Sequence, residues 1–248
     1  MESLVVIGFL AVLMELIDSS LGMMYGTILS PLLISVGFAP ELVIPSILIS
    51  QAMGGLIGTV RHHRYKSANF KGWTRDTRIV LAIVLPGVLA CFLGAFVAVS
   101  IPGWALKTYI GLIAIAMGIL CVRPYSYQFA WKKICGIGVL AGFNKALSGG
   151  GFGPVTSTGK ILGGVDPKVS IATTTYAEVP ICLLSFLFWM MLRGGIETAF
   201  PLTLCLGAAF GAIIGPWITY KMKSDKLRGV VGILAIISGI WCITKLFI

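Results

Sequence analysis

Ten apolar stretches follow one another along this chain, at about 4–21, 22–36, 42–60, 79–100, 104–122, 134–148, 150–163, 168–192, 197–220 and 228–247, with Gly, Pro or charge between them. A helix that crosses a bilayer needs about 20 residues, so 248 residues of this pattern leave no room for a separate soluble domain. Only 11% of the residues are charged and 57% are hydrophobic, whereas soluble domains spend roughly 25% on charge. That balance excludes a soluble enzyme. Open strands leave backbone groups unsatisfied in lipid, and the stretches lack the alternating, roughly ten-residue period of an outer-membrane barrel. The expected fold class is an all-α integral membrane protein.

The formal net charge of +10 would raise the question of nucleic acid in a soluble protein. Here the basic residues gather in loops, so the expected partner is the membrane lipid and not nucleic acid. Arg61, Arg64, Lys66, Lys71, Arg75 and Arg78 fill one loop, Arg123, Lys132 and Lys133 a second, and Lys221, Lys223, Lys226 and Arg228 a third. The positive-inside rule puts all three in the cytoplasm, as expected of a multi-pass protein of the inner (plasma) membrane. Counting outward, the 101–105 and 193–197 turns and both termini fall outside, and the 164–168 turn inside. Segments 1–36 and 134–164 must then each enter and return as a helical hairpin. Residues 22–36 and 150–163 are short for a full span, so each hairpin is expected to hold a broken or re-entrant segment. Met1-Glu2-Ser3 offers no basic n-region and no cleavage pattern follows, so no removable signal peptide is expected. Trp73, Trp104, Trp131 and Trp217 read as interfacial anchors, and His62-His63 as part of a solvated loop. The six cysteines show no metal-binding spacing and read as buried thiols.

The two halves are related. Gly37-Phe38-Ala39-Pro40-Glu41 aligns with Gly164-Val165-Asp166-Pro167-Lys168 at an offset of 127, where Gly22 also meets Gly149 and Gly26 meets Gly153. Further on, Gly94–Ile119 aligns without gaps with Gly215–Ile240 at an offset of 121. The expected organisation is a first repeat over 1–122, a cytoplasmic linker over 123–133 and a second repeat over 134–248, in one membrane domain. Each repeat has five segments, an odd number, so the second copy is inverted. Inverted repeats with paired, interrupted segments are typical of secondary transporters, whose substrate sits near the midplane. A duplicated scaffold without transport and a passive anion channel are the rival readings. No Walker A, HExxH or GxSxG pattern is present, and neither an enzyme activity nor a cofactor is expected.

Polar residues within the apolar runs mark the candidate site. The densest group is Asn144-Lys145 followed by Ser148-Gly149-Gly150-Gly151-Phe152-Gly153-Pro154 and Thr156-Ser157. Three glycines break the helix and Pro154 suits the start of another, whose N-terminal N–H groups can receive an anion with hydroxyl help. Small residues also serve close helix packing. Lys145 is costly in an apolar run and is expected to compensate charge. Its repeat mate is Asp18, close to Glu15, and an Asp18–Lys145 pair across the repeat interface is one expectation. Lys160 is expected to snorkel to the headgroups. Glu178, with Thr174 one turn before it, has Gln51 as its mate. Glu178 and Asp18 are the expected proton-coupling carboxylates.

Gly149-Gly150-Gly151-Phe152-Gly153-Pro154, followed by Gly164-Val-Asp-Pro-Lys-Val-Ser-Ile-Ala172-Thr173-Thr174, resembles the second-half pattern of the sulfite exporter TauE/SafE family of membrane permeases. The resemblance covers essentially the whole chain. It departs in the first half, where Gly22-Met23-Met24-Tyr25-Gly26 keeps the end glycines around bulky side chains. The resemblance implies export of sulfite or a small organosulfonate, without ATP and coupled to protons. The expected binding region then spans Gly149–Thr158 and its partner around Gly22, Tyr25, Gly26 and Thr27, with Gln51 and Thr174 beside it. A homodimer is compatible with the apolar composition.

Overall fold

A computed structural model describes residues 2–98, 102–122, 128–193 and 198–244. Among these there are ten helices and no strand: α1 (Glu2–Leu21), α2 (Tyr25–Ser35), α3 (Pro40–Arg64), α4 (Arg75–Ala98), α5 (Gly103–Val122), α6 (Trp131–Ser148), α7 (Phe152–Leu162), α8 (Pro167–Arg193), α9 (Ala199–Lys221) and α10 (Ser224–Thr244). Within the described residues, Leu4–Leu21, Pro40–Arg64, Arg75–Val97, Pro167–Leu192 and Ala199–Lys221 are long and apolar enough to cross a membrane. The 11 residues of α2 and of α7 rise only about 16 Å, roughly half the hydrocarbon thickness.

Both short helices end in the same way. The N–H of Gly37 reaches Ile34 O and that of Phe38 reaches Leu33 O, while Gly164 reaches Ile161 O and Val165 reaches Lys160 O. These paired bonds are Schellman motifs, which need a residue at positive φ; Gly37 (101°) and Gly164 (79°) supply it. Pro40 and Pro167 then open α3 and α8. The aligned glycine–proline turns therefore have one physical task, to stop a half-length helix and start a long one. By contrast α3 runs on to Arg64, past the expected end of its apolar run, and carries His62 into the helix.

Polarity is distributed as lipid demands. On α4, Leu85, Leu89, Phe92 and Phe96 recur along one helical face and are 66%, 75%, 61% and 67% exposed, a stripe that suits acyl chains. Glu15, Asp18, Gln51, Asn144, Lys145, Lys160 and Glu178 are buried inside. Trp73, Trp104, Trp131 and Trp217 are exposed, in keeping with interfacial positions.

Close packing of small residues holds the long helices together. α1 lies along α9, α4 along α6, and α5 along α10, with α3 and α8 side by side between them. Gly207, Gly211 and Gly215 of α9 meet the backbone of α1 at Gly8, Val12 and Leu16, so these two helices run parallel. Gly111 of α5 meets Gly239 of α10 and Gly118 meets Gly232, so that pair runs antiparallel. α3 and α8 also run in opposite directions, because Gln51 lies by Glu178 while Gly58 lies by Thr175. With little hydrophobic drive between helices in lipid, such backbone approaches supply the van der Waals contact that associates them.

The approach on α6 is sharply local. A Cβ on Gly142 would stand 2.6 Å from Gly87 Cα, whereas one on Gly136 of the same helix would meet nothing within 4 Å. Gly142→Ala should therefore lower stability by about 1–3 kcal/mol through overpacking. Gly136→Ala should be neutral or gain up to ~1 kcal/mol from helix propensity. Thermal unfolding of the two variants in one detergent measures the difference; equal melting temperatures would contradict the packing.

Candidate functional site

Two chain breaks meet in the interior. α6 stops where Gly149 adopts φ 71° and returns its N–H to Lys145 O; after Gly150, Gly151 at φ 72° leads into α7. α1 stops at Gly22, φ 74°, and Met24 at φ 108° leads into α2. The matching positions, 22 with 149 and 24 with 151, thus share a positive-φ backbone even where methionine replaces glycine. Met23 and Met24 fill this departure from the family pattern by packing into an apolar cluster with Leu21, Ile161, Ile171 and Leu227. Pro154 is the third residue of α7 instead of the first, still within the first turn, where a missing N–H breaks no helical bond.

The tips interlock backbone against backbone. A Cβ on Gly26 would collide with Gly149 O, one on Gly150 would lie 2.9 Å from Gly26 and Thr27, and one on Gly153 would lie 2.6 Å from Met23 Cα. Gly151 N–H donates to Thr27 Oγ1 at 3.1 Å, Ser30 Oγ to Ser148 O at 3.2 Å, and Ser157 Oγ to Gly22 O at 2.8 Å. Most of the residues expected around the two breaks are therefore in one place, and two half-length helices begin there. Thr156 is turned into its own helix, donating to Phe152 O at 2.7 Å. Tyr25 points elsewhere, with its hydroxyl donating to Ser50 Oγ at 2.9 Å.

Beside the tips lies a buried charge cluster. Lys145 Nζ donates to Glu178 Oε1 at 2.7 Å and also to Gln51 Oε1, while Gln51 Nε2 donates to the same Glu178 oxygen at 3.0 Å. This triad replaces the expected Asp18–Lys145 pair. Asp18 Oδ1 instead accepts the N–H of Tyr25 at 3.1 Å, at the first turn of α2, where its carboxyl is near enough to feel the charges of Glu178 and Lys145. A carboxylate suits that helix N-terminus. The first turn of α7 has no acidic residue.

Three further buried groups differ from the sequence reading, which gave Glu15 no role and placed His62 and Lys160 at the surface. Glu15 accepts the Ser19 hydroxyl on Oε1, and its other oxygen is buried without a partner; Gly54 makes room for this carboxyl, because a Cβ there would stand 2.6 Å from Glu15 Cδ. His62 is buried, not solvated, with Nε2 2.9 Å from Ser19 O. Lys160 does not snorkel: it is fully buried, held by Ser170 O and Thr173 Oγ1. Helical register carried a signal for His62, which shares the buried face of α3 with Gln51, Gly55 and Gly58, whereas every residue of α7 is buried, so register could not single out Lys160. Asn144 is fully buried and neither end of its amide has a hydrogen-bond partner. Such a group is costly without a ligand or water to satisfy it. Thr174 is joined to Ser157, oxygen to oxygen, at 3.0 Å.

Paired half-length helices meeting at a buried charge cluster, inside a lipid-facing bundle, are the arrangement typical of a multi-pass membrane transporter. The chain belongs to the sulfite exporter TauE/SafE family, whose profile matches residues 6–242. It is also similar to the probable membrane transporter protein YtnM of Bacillus subtilis (strain 168), 28% identical over 247 residues that cover 94% of this chain and 80% of that protein.

The triad's energetics can be tested without a substrate. Lys145→Met leaves Glu178 and Asp18 without their cation and should cost about 3–5 kcal/mol, the usual penalty for breaking a buried pair. Glu178→Gln leaves Lys145 with Gln51 and the nearby Asp18, and should cost clearly less. Melting temperatures in detergent decide the order; a reversed ranking would contradict this arrangement.

Proposed function

We propose that this transporter carries sulfite or a small organosulfonate together with a proton. The observation that supports this most is the Lys145–Glu178–Gln51 triad, with Asp18 buried near enough to feel its charges. Two buried carboxylates and one ammonium would carry a net negative charge, which a single proton removes. Adding that proton to Glu178 weakens its hold on Lys145. The freed ammonium, the unpaired Asn144 amide and the N-terminal N–H groups of α7 can then receive an oxyanion. Loss of the proton restores the ion pair and releases the anion, so proton and anion travel together.

Alternating access is the proposed route. The antiparallel courses of α3 against α8 and of α5 against α10 support two inverted repeats, which would rock about the interlocked tips. The basic loops support a cytoplasmic assignment for the face that carries residues 61–78 and 221–228. The interrupted helices and buried acid favour a carrier over a passive channel.

Labelled sulfite flux into proteoliposomes under an imposed pH gradient tests the proposal, with taurine, sulfoacetate, thiosulfate and sulfate as competitors and empty liposomes as control. Saturable flux that accelerates with the gradient is expected. Glu178→Gln should make the remaining flux insensitive to the gradient. A Glu178→Gln protein that keeps full gradient-driven flux eliminates the proton role, and the absence of anion flux from folded wild-type protein eliminates the transport reading.

A further inference from the structure

Lys160 is a buried basic group that the proton-and-anion cycle does not use. It lies in the last turn of α7, fully buried, and its ammonium donates to Ser170 O at 2.8 Å and to Thr173 Oγ1 at 2.7 Å, both on α8. Both partners are neutral. An ammonium has three donors, and a cation taken out of water is costly unless an opposite charge compensates it. The C-terminal dipole of α7 offsets only part of that charge.

A line of hydroxyls joins Lys160 to the interlocked tips. Ser170 Oγ donates to Ser157 O at 2.9 Å, Ser157 Oγ donates to Gly22 O at 2.8 Å, and Thr174 Oγ1 stands 3.0 Å from Ser157 Oγ. All of these groups are fully buried. At its other end α7 runs into the 163–168 turn, which is fastened to the basic face: Ser224 Oγ donates to Asp166 Oδ2 at 2.9 Å and Lys168 Nζ to Tyr220 O at 2.8 Å. Lys160 therefore sits just beneath the face that carries Lys221–Arg228. The matching place in the first half, 127 residues earlier, is Leu33, packed in an apolar cluster with Tyr25, Leu29 and Phe200. The second half thus has a lysine at this place, beneath the basic face, where the first half has a leucine.

We infer that Lys160, with Thr173 and Ser170, is a receiving site for an oxyanion entering from the basic face, and that it makes the transporter bind its anion more tightly from that face than from the other. The ammonium would exchange its neutral acceptors for the anion's oxygens when α7 and α8 part. Hydroxyls then offer successive donors toward Lys145. Capture at low concentration on one side and release on the other follows from the Lys160–Leu33 difference. This inference rests on the anion-transport reading above.

The test is the KM for labelled sulfite measured separately at each face, in proteoliposome populations of defined orientation. Wild-type protein should show a KM at the basic face several-fold below that at the opposite face. Lys160→Gln should raise the basic-face KM at least tenfold and leave the opposite-face KM within twofold, while Lys160→Arg should retain most of the asymmetry. Equal wild-type KM values at the two faces overturn the inference with no variant needed, and so does a folded Lys160→Gln protein whose KM is unchanged or rises equally at both faces. Wild-type protein that carries no anion overturns the proposed function and this inference together, so the two failures are distinguishable.

Discussion

The contact between two helix breaks, backbone against backbone, governs the rest of this structure. Gly26 against Gly149, Gly150 against Gly26 and Thr27, and Gly153 against Gly22 leave no space for a Cβ. Because the tips touch here, α2 and α7 can be half-length, and both begin in the interior with first-turn N–H groups that lack partners within the helix, the first of α2 being taken by Asp18. Broken backbone is tolerated at membrane depth only where protein or a water-filled cavity surrounds it. The surrounding long helices provide that enclosure, and their own glycines let them close around it.

The charges beside the tips require a different account from the packing. Replacing a buried ion pair by well-packed apolar residues is often neutral or stabilising, so stability alone does not explain why Lys145, Glu178 and Asp18 share this interior. Ionisable groups inside a membrane domain mark function by default. Gln51 adds a neutral donor and acceptor that holds Glu178 and Lys145 at once. Asn144, with its amide unpaired, stands one residue from that lysine.

Much of this was legible in the amino-acid order, for identifiable reasons. The offset of 127 that aligned Gly37 with Gly164 also matched their positive φ and their identical helix stops, because a Schellman turn needs glycine at one position and leaves a sequence trace. That same offset separates Gln51 from Glu178, which proved to be in contact. The choice of partner for Lys145 was not legible. Asp18 and Glu178 are both acidic and both in reach of the interior, and only the crossing of α3, α6 and α8 sets which oxygen the ammonium meets. His62 and Lys160 were misread for a related cause, since hydropathy reports how apolar a segment is and not which way one side chain turns.

The sequence by itself determined that the chain is helical and membrane-embedded, and where the glycine–proline turns stop one helix and start the next. Those properties follow from local chemistry: apolar length, proline and glycine at chain reversals, and backbone groups that must bond within their own segment in lipid. Tertiary structure decided that the two breaks interlock, that Glu178 and not Asp18 takes the ammonium of Lys145, and that Lys160 is sealed inside among hydroxyls. These depend on distances between residues far apart in the chain, which are fixed only when the helices pack and small residues set how closely their backbones approach.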